Sequence, residues 1–440
     1  MVACPDARPP AYQAVIGLNQ AGLLRQFVTS TYYNPRSPLP TLARQFIPRQ
    51  WAHWEKRLLR RYNPEISPSL VSAVPSIDLL LRLEALAAGR TRTLFLKRGC
   101  TRARTLWFDH RLSRLVARYR PAALMVFSDV ASGATLPLCR RLGIPTVLSM
   151  VHGEVREEIE VLDRESRVAR DFVPIYLGDG LLDRSELSWL HQRRLRDIAL
   201  ADMILVPSEH IAERLVQSGI SLQKIRVIPY AADAVRFQPR PTKTYTASCT
   251  FLFAGGITQR KGIKYLLEAW QRLRRPNWKL QLLGPLPRNL QPLASSLPHV
   301  EILGRVSHED VPARMAAADV FVFPSLFEGS AVVTYEALAS GLPSVVTPAA
   351  GSVVRHGIEG FLVTPGDVDT LAHRMEQLGN SPELRAAMSQ AARARALDFD
   401  WPRYHASVVD AVLSTGFLNQ LPASPRRIVQ PASRAEVRYG

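Results

Sequence analysis

From residue 249 to residue 378, short apolar runs alternate with longer amphipathic stretches. Cys249–Ala254, Lys279–Leu283, Val300–Leu303, Val320–Phe323, Ser344–Thr347 and Phe361–Val363 are apolar or nearly so, and Gly or Pro closes most of them. Runs without alternation predict strands buried on both faces. Between them, Ile263–Arg274, His308–Ala317, Val332–Ser340 and Val368–Leu378 read as helices. Strand followed by crossover helix, repeated, predicts a parallel, doubly wound sheet. Upstream the pattern is noisier. Phe27–Ser30, Leu124–Phe127, Thr146–Val151, Met203–Val206 and Ile225–Ile228 read as strands, with Val2–Cys4 as a short one before a helix over Ala11–Leu24. Asp233–Ala247, with two prolines and little apolar content, predicts a linker.

Length and charge sharpen this picture. At ~100–200 residues per domain, a chain of 440 residues predicts two domains. With 47% hydrophobic and 21% charged residues it reads as globular and soluble, not disordered or collagen-like. Cys4, Cys100, Cys139 and Cys249 form no CxxC pair, so neither a disulfide framework nor a zinc site is expected. The start, MVACPDARPP, is too short and polar to be expected as a signal peptide, and no apolar run reaches the ~20 residues of a bilayer span. The expected compartment is the cytoplasm. Lys and Arg total 56 against 38 Asp and Glu, which favours an anionic partner.

Two segments carry candidate chemistry. The first is PSLFEGSAVVTYEALASGLP, residues 324–343. A strand ends at Ser325, a loop holds Glu328 and Gly329, and a helix starting near Ser330 carries Glu336. Exposed amides at a helix start suit a phosphate. Gly329 lets a ligand approach the backbone, and a carboxylate in the first turns accepts two sugar hydroxyls. Read singly, Glu328 is equally a solvated loop acid and Glu336 a helix-surface acid. The second segment is FLFAGGITQRKGIKYLLEAW, residues 251–270. Gly255 and Gly256 follow a buried strand, and Arg260 and Lys261 offer two cations to a diphosphate. Solvated charges at a helix start are the plain alternative.

These motifs, with FVFPS, SGLPSVVT and GIEGFLVTPGD, resemble in order the carboxyl-terminal domain of glycosyltransferase family 4. ADMILVPSEHIAERL and KIRVIPYAAD, within residues 201–233, resemble the end of its amino-terminal domain. The family comprises retaining nucleotide-sugar enzymes of the GT-B fold. The resemblance implies an α/β chain of two Rossmann-like doubly wound domains facing across a cleft. It implies an acceptor-binding domain at 1–232, a linker at 233–248 and a nucleotide-sugar-binding domain at 249–398. A helical segment at 399–422 would cross back to the first domain, and the polar, basic stretch 423–440 is expected as a disordered tail.

The resemblance also assigns residues. Glu336 would hold the donor ribose, and Glu328 would lie at the transferred sugar. Lys261, with Arg260, Gly255 and Gly256, would meet the diphosphate. The amides of Ala331, Val332 and Val333 would receive the donor's sugar and phosphate, and Arg305 and Val306 would contact the nucleobase. His152, in SMVHGE, would face the donor sugar from the other domain and is the second catalytic candidate. The acidic triplets Asp367–Asp369 and Asp398–Asp400 invite a metal-held diphosphate, but Asp367 follows Pro-Gly and reads as a helix cap. No metal or other cofactor is expected, since the nucleotide-sugar is a co-substrate.

Residues 42–61, LARQFIPRQWAHWEKRLLRR, place six basic residues and one acid among Phe46, Trp51 and Trp54. Such a segment suits an anionic membrane surface or an ordinary packed helix, with Pro48 limiting the helix to its second part. The expected activity is transfer of a sugar, with retention, to a glycan or lipid-linked hydroxyl acceptor. A peripheral position on the inner face of the membrane would serve a lipid-linked acceptor. Rival readings are a nucleotide-sugar epimerase and a non-catalytic binding protein on the same fold. No recognised module supports a nucleic-acid partner.

Overall fold

The computed structural model describes residues 1–6, 9–74, 94–177, 184–241, 244–273 and 275–416. The expected tail at 423–440 lies outside them. Among the described residues the strands form two all-parallel sheets. The first holds β1 (Val2–Ala3), β2 (Phe27–Thr29), β3 (Val71–Ala73), β4 (Leu124–Phe127), β5 (Thr146–Ser149), β6 (Met203–Val206) and β7 (Ile225–Val227). Their spatial order is β3-β2-β1-β4-β5-β6-β7. The second holds β8 (Cys249–Ala254), β9 (Trp278–Leu283), β10 (Val300–Gly304), β11 (Val320–Phe323), β12 (Ser344–Val346) and β13 (Gly360–Leu362), in the order β10-β9-β8-β11-β12-β13. Every residue of β4, β5, β6, β11 and β12 is buried, as apolar runs without alternation require.

Both sheets reverse strand order once, between β1 and β4 and between β8 and β11. At such a switch point the loops leaving the carboxyl ends of the two strands diverge and open a crevice. Those loops carry Asp129, Arg260, Lys261 and Glu328.

Several element ends differ from expectation. The first helix runs Pro9–Gln20, not to Leu24, because Gly22 takes a left-handed turn at φ 69°. The helix expected from His308 starts at Val311, where Pro312 fits a first turn that needs no amide. β5 ends at Ser149, after which Val151–Gly153 turns toward the other sheet. The edge strand β3 and the helix Leu94–Tyr119 were not anticipated. A helix also precedes Pro48, over Pro38–Phe46, where none was expected.

The stretch between the sheets is fastened to the second one. Arg393, on the helix Pro382–Ala396, donates to the carbonyls of Phe237 at 2.9 Å and Ala234 at 3.1 Å. The last described helix, Trp401–Leu413, lies along the first one. Tyr404 OH donates to the Pro10 carbonyl, and a side chain at Gly17 would strike His405. Both acidic triplets cap helices: Asp367 accepts from the Thr370 amide and Asp400 from the Arg403 amide.

Candidate active site

The loop leaving β8 is built around Lys261. A short turn, Gln259–Lys261, ends at Gly262, whose φ is 74°. A Cβ there would stand 2.0 Å from the Pro324 carbonyl oxygen, so the loop leaving β11 fits against this one only over glycine. That second loop grips the first: Leu326 N–H and Ser325 Oγ both donate to the Arg260 carbonyl, at 2.8 and 3.2 Å.

The contact brings three charges together. Arg260 NH1 lies 3.0 Å from Glu328 Oε2 and also donates to the Phe327 carbonyl. Lys261 Nζ stands 3.6 Å from Glu328 Oε1 and 5.0 Å from the centre of the Phe323 ring. Two cations on one carboxylate leave the cluster with net positive charge. Burial draws the Lys261 ammonium below its usual pKa, and Glu328 only partly opposes this. Arg260 Nε is buried with no acceptor among the described residues. Gly255, at φ 134°, leaves room for the tip of Lys261, which a Cβ would approach to 2.9 Å. Beside it, Gly256 has open space, with only Thr258 at the edge of contact.

The helix after Glu328 runs Val332–Ala339 with Ala331 at its cap. The expectation of three receiving amides needs correction. The Ala331 N–H already donates to the Ala350 carbonyl at 3.0 Å, leaving Val332 and Val333 as the amides of the open helix start. Glu336 sits one turn further along, half-buried. Burial pushes its carboxyl up to about 7, against the opposing pull of Arg236. Arg236 in turn donates to the His308 carbonyl, tethering the loop that holds exposed Arg305 and half-buried Val306. Arg236 was passed over because it lies in a stretch that reads as linker.

Gly329 also needs correction. A Cβ there would lie 2.5 Å from the Val151 carbonyl oxygen and 3.0 Å from His152 Cα. The glycine admits the other domain, not a ligand. Gly153 does the same from the opposite side, facing the Phe327 ring. Ser208 Oγ closes the seam with a 3.1 Å bond to the Gly329 carbonyl. Further along it, buried Glu165 accepts from Gln259 at 2.5 Å and from Tyr265 OH at 2.8 Å.

His152 therefore stands beside the Glu328 loop. Its Nε2 lies 3.4 Å from Asp129 Oδ1, and its Nδ1 meets the Gly153 carbonyl at 2.9 Å. Asp129 follows β4 with φ 82° and was missed. Its signal is present in LMVFSDV, an acid just past the carboxyl end of an apolar strand. Burial alone would raise its pKa, but Arg194 and His152 outweigh burial and hold the carboxyl far below its ordinary range. Arg194 grips Asp129 through Nε and NH2, at 2.7 and 3.2 Å, and reaches Glu158 at 3.1 Å. At this switch point a cavity of about 240 Å³ opens, lined in part by Pro5, Asp6, Thr105, Ser128, Asp129 and Arg194. Among the described residues no group of three or more His, Cys, Asp or Glu is placed to hold a metal ion.

Residues 248–381 match the family model of group 1 glycosyl transferases, and residues 74–236 match that of Glycosyltransferase Family 4. The chain belongs to the GT-B glycosyltransferases. This glycosyltransferase is 27% identical, over 77% of its length and 84% of the relative's, to an MMP alpha-(1->4)-mannosyltransferase of Mycolicibacterium hassiacum. It is 26% identical to the sulfoquinovosyl transferase SQD2 of Arabidopsis thaliana, spanning 68% of its own length but only 57% of the plant enzyme's. In fold it resembles the Anabaena HepE protein solved with UDP and glucose, at a TM-score of 0.59 and 16% identity over 94% of this chain and 98% of that one. A sucrose-phosphate synthase from Thermosynechococcus elongatus gives 0.60 at 18% identity, over 95% and 97% of the two chains.

Proposed function

We propose that this glycosyltransferase moves a sugar from a nucleoside diphosphate donor to a hydroxyl acceptor with retention of anomeric configuration. The observation that carries the reading is the meeting of Arg260, Lys261 and Glu328 with His152 of the other domain. The donor diphosphate would lie at the open edge of Gly256, facing Lys261, Arg260 and the amides of Val332 and Val333. Fixed positive charge there stabilises the departing diphosphate more than the bound donor, which is what lowers a barrier. Glu328 keeps the two cations side by side and presents its carboxylate toward the sugar. Glu336 takes the ribose hydroxyls, and the loop at Arg305 and Val306 borders the base. His152, held by Asp129, faces the sugar from the acceptor side, and the 240 Å³ cavity takes the acceptor. The binding of UDP and glucose by the HepE protein of like fold supports a uridine donor as the first to test. Since the chain's own cations meet the diphosphate, donor binding should survive chelation of divalent metal.

A thermal-shift screen with UDP, GDP, ADP and their sugars identifies the nucleotide, because a ligand of the folded state raises its stability. Transfer to a hydroxyl acceptor, followed by NMR of the first product formed, reads the anomer. A retained anomer is expected. An inverted one overturns the retention, and an epimer from donor alone replaces transfer with isomerisation.

A further inference from the structure

Residues 38–61 form two helices, Pro38–Phe46 and Pro48–Leu58, closed by a turn at Leu59–Arg61. They part at Ile47, because a residue before proline is steered out of the helical region. On the first helix Leu39, Leu42 and Phe46 fall three and four residues apart, so they share a face. All three are exposed, Leu39 by 78% and Phe46 by 74%. Ile47, Trp54 and Leu59 are exposed as well. Soluble surfaces scatter such side chains singly, and this concentration marks an interaction site.

The cations of the hairpin divide into two kinds. Arg44 is bound to Glu55, the one acid of the segment, with NH2 to Oε1 at 2.5 Å, and Tyr33 OH donates to the same carboxylate. Arg61 turns inward to Ser30 Oγ at 3.0 Å and the Pro5 carbonyl at 3.4 Å. Arg49, Lys56 and Arg60 are exposed and make no ion pair among the described residues. Spaced seven and four apart, they share one face of the second helix and of the turn that closes it.

We infer that this hairpin docks on an anionic lipid leaflet. Leu39, Leu42, Phe46 and Ile47 enter the headgroup boundary, and Arg49, Lys56 and Arg60 meet lipid phosphates. Because Arg61 ties the hairpin to Pro5 at the rim of the amino-terminal cavity, docking holds that cavity against the leaflet. The docking stands apart from the donor reading. Only the consequence that a lipid-linked acceptor is presented there rests on the proposed function.

The test is co-sedimentation of the full chain with phosphatidylcholine vesicles, alone or mixed with phosphatidylglycerol, at low and moderate salt. The chain should sediment with acidic vesicles at low salt. Combined Arg49→Gln, Lys56→Gln and Arg60→Gln should lower that partition roughly a hundredfold, at ~1 kcal/mol for each cation. Combined Leu42→Ser and Phe46→Ser should remove the binding that persists when salt screens the charges. Both variants change exposed side chains, and unaltered thermal melting confirms folding whatever the nucleotide result. Three results overturn the inference: no sedimentation with acidic vesicles at low salt, equal binding to both lipids, or binding that neither variant weakens. Lipid-free self-association of the parent, abolished by both variants, would assign the face to a second copy and overturn it too.

Discussion

The two sheets have the same kind of switch point and use it in opposite ways. After β8 and β11, two cations share one carboxylate, and an open helix start adds more positive character. After β1 and β4, the central charge is a carboxylate, Asp129, held by Arg194 and facing His152. One crevice carries a net positive charge, with its ion pairs at 3.0 and 3.6 Å. In the other, Arg194 grips Asp129 through two nitrogens and also reaches Glu158, so the cation is shared between two acids. Common topology supplies the crevice and not its electrostatics. Those come from which side chains the loops carry and how deeply they are buried.

The sharpest test of this contrast is stability. Arg194→Met removes the guanidinium that Asp129 and Glu158 share and leaves them only His152 and His191, and removing one partner of a buried ion pair typically costs ~3–5 kcal/mol. Urea unfolding of the variant should show a loss of that order. Arg260→Met, in the looser cluster, should lose clearly less. Equal losses would mean that both clusters are structural.

Turnover comes next. Glu328→Gln keeps the shape of the loop and removes the anion between the two cations. Steady-state transfer should fall on the order of a hundredfold, with nucleotide affinity by calorimetry unchanged or tighter. A binding loss equal to the loss of turnover would move Glu328 from the reacting centre to the nucleotide.

Lys261→Ala should weaken donor binding by about ten- to a hundredfold, as expected for a charge-assisted contact of ~1.5–3 kcal/mol. Unchanged titration with the nucleoside diphosphate would place the diphosphate elsewhere.

The smallest effect is one of pH. Glu336 ionises near 7, well above an ordinary glutamate. Below that pH its carboxylate is protonated and is the poorer acceptor of two ribose hydroxyls. Affinity for a nucleotide-sugar, whose phosphates do not titrate here, should therefore weaken severalfold as pH falls through about 7, and Glu336→Gln should flatten the profile. The linkage to folding runs the other way. An acid whose folded pKa is raised favours the folded state below its unfolded pKa, and that contribution is lost as pH rises through the folded value. A donor affinity that weakens on raising the pH would exclude Glu336 from the ribose.

Lys261, Glu328 and Glu336 were legible as candidates because each lies in a short segment where strand, loop and helix follow one another within about twenty residues. The motif and the candidate site are then the same stretch of chain. Arg194, Arg236 and Glu165 were not legible, since each acts on a residue far away in sequence, and Asp129 was missed although it directly follows an apolar strand. Gly329 was read correctly as a close approach and wrongly as room for a ligand, because the sequence does not say which surface arrives. The Ala331 amide was miscounted for a similar reason: its acceptor, Ala350, belongs to the next loop.

By itself the sequence determined the two doubly wound halves, since parallel strands buried on both faces must be continuous apolar runs. It also determined the local chemistry of the loops after β8 and β11. Tertiary structure alone decided how Val151–Gly153 meets Phe327–Gly329, and with that whether His152 and Glu328 belong to one site. It also decided which cations remain exposed on residues 38–61, turning Arg61 inward while leaving Arg49, Lys56 and Arg60 outward. The physical reason is range. Periodicity and turn chemistry act over a few residues, whereas burial, ion pairing and domain contact depend on groups that only folding brings within a few ångströms.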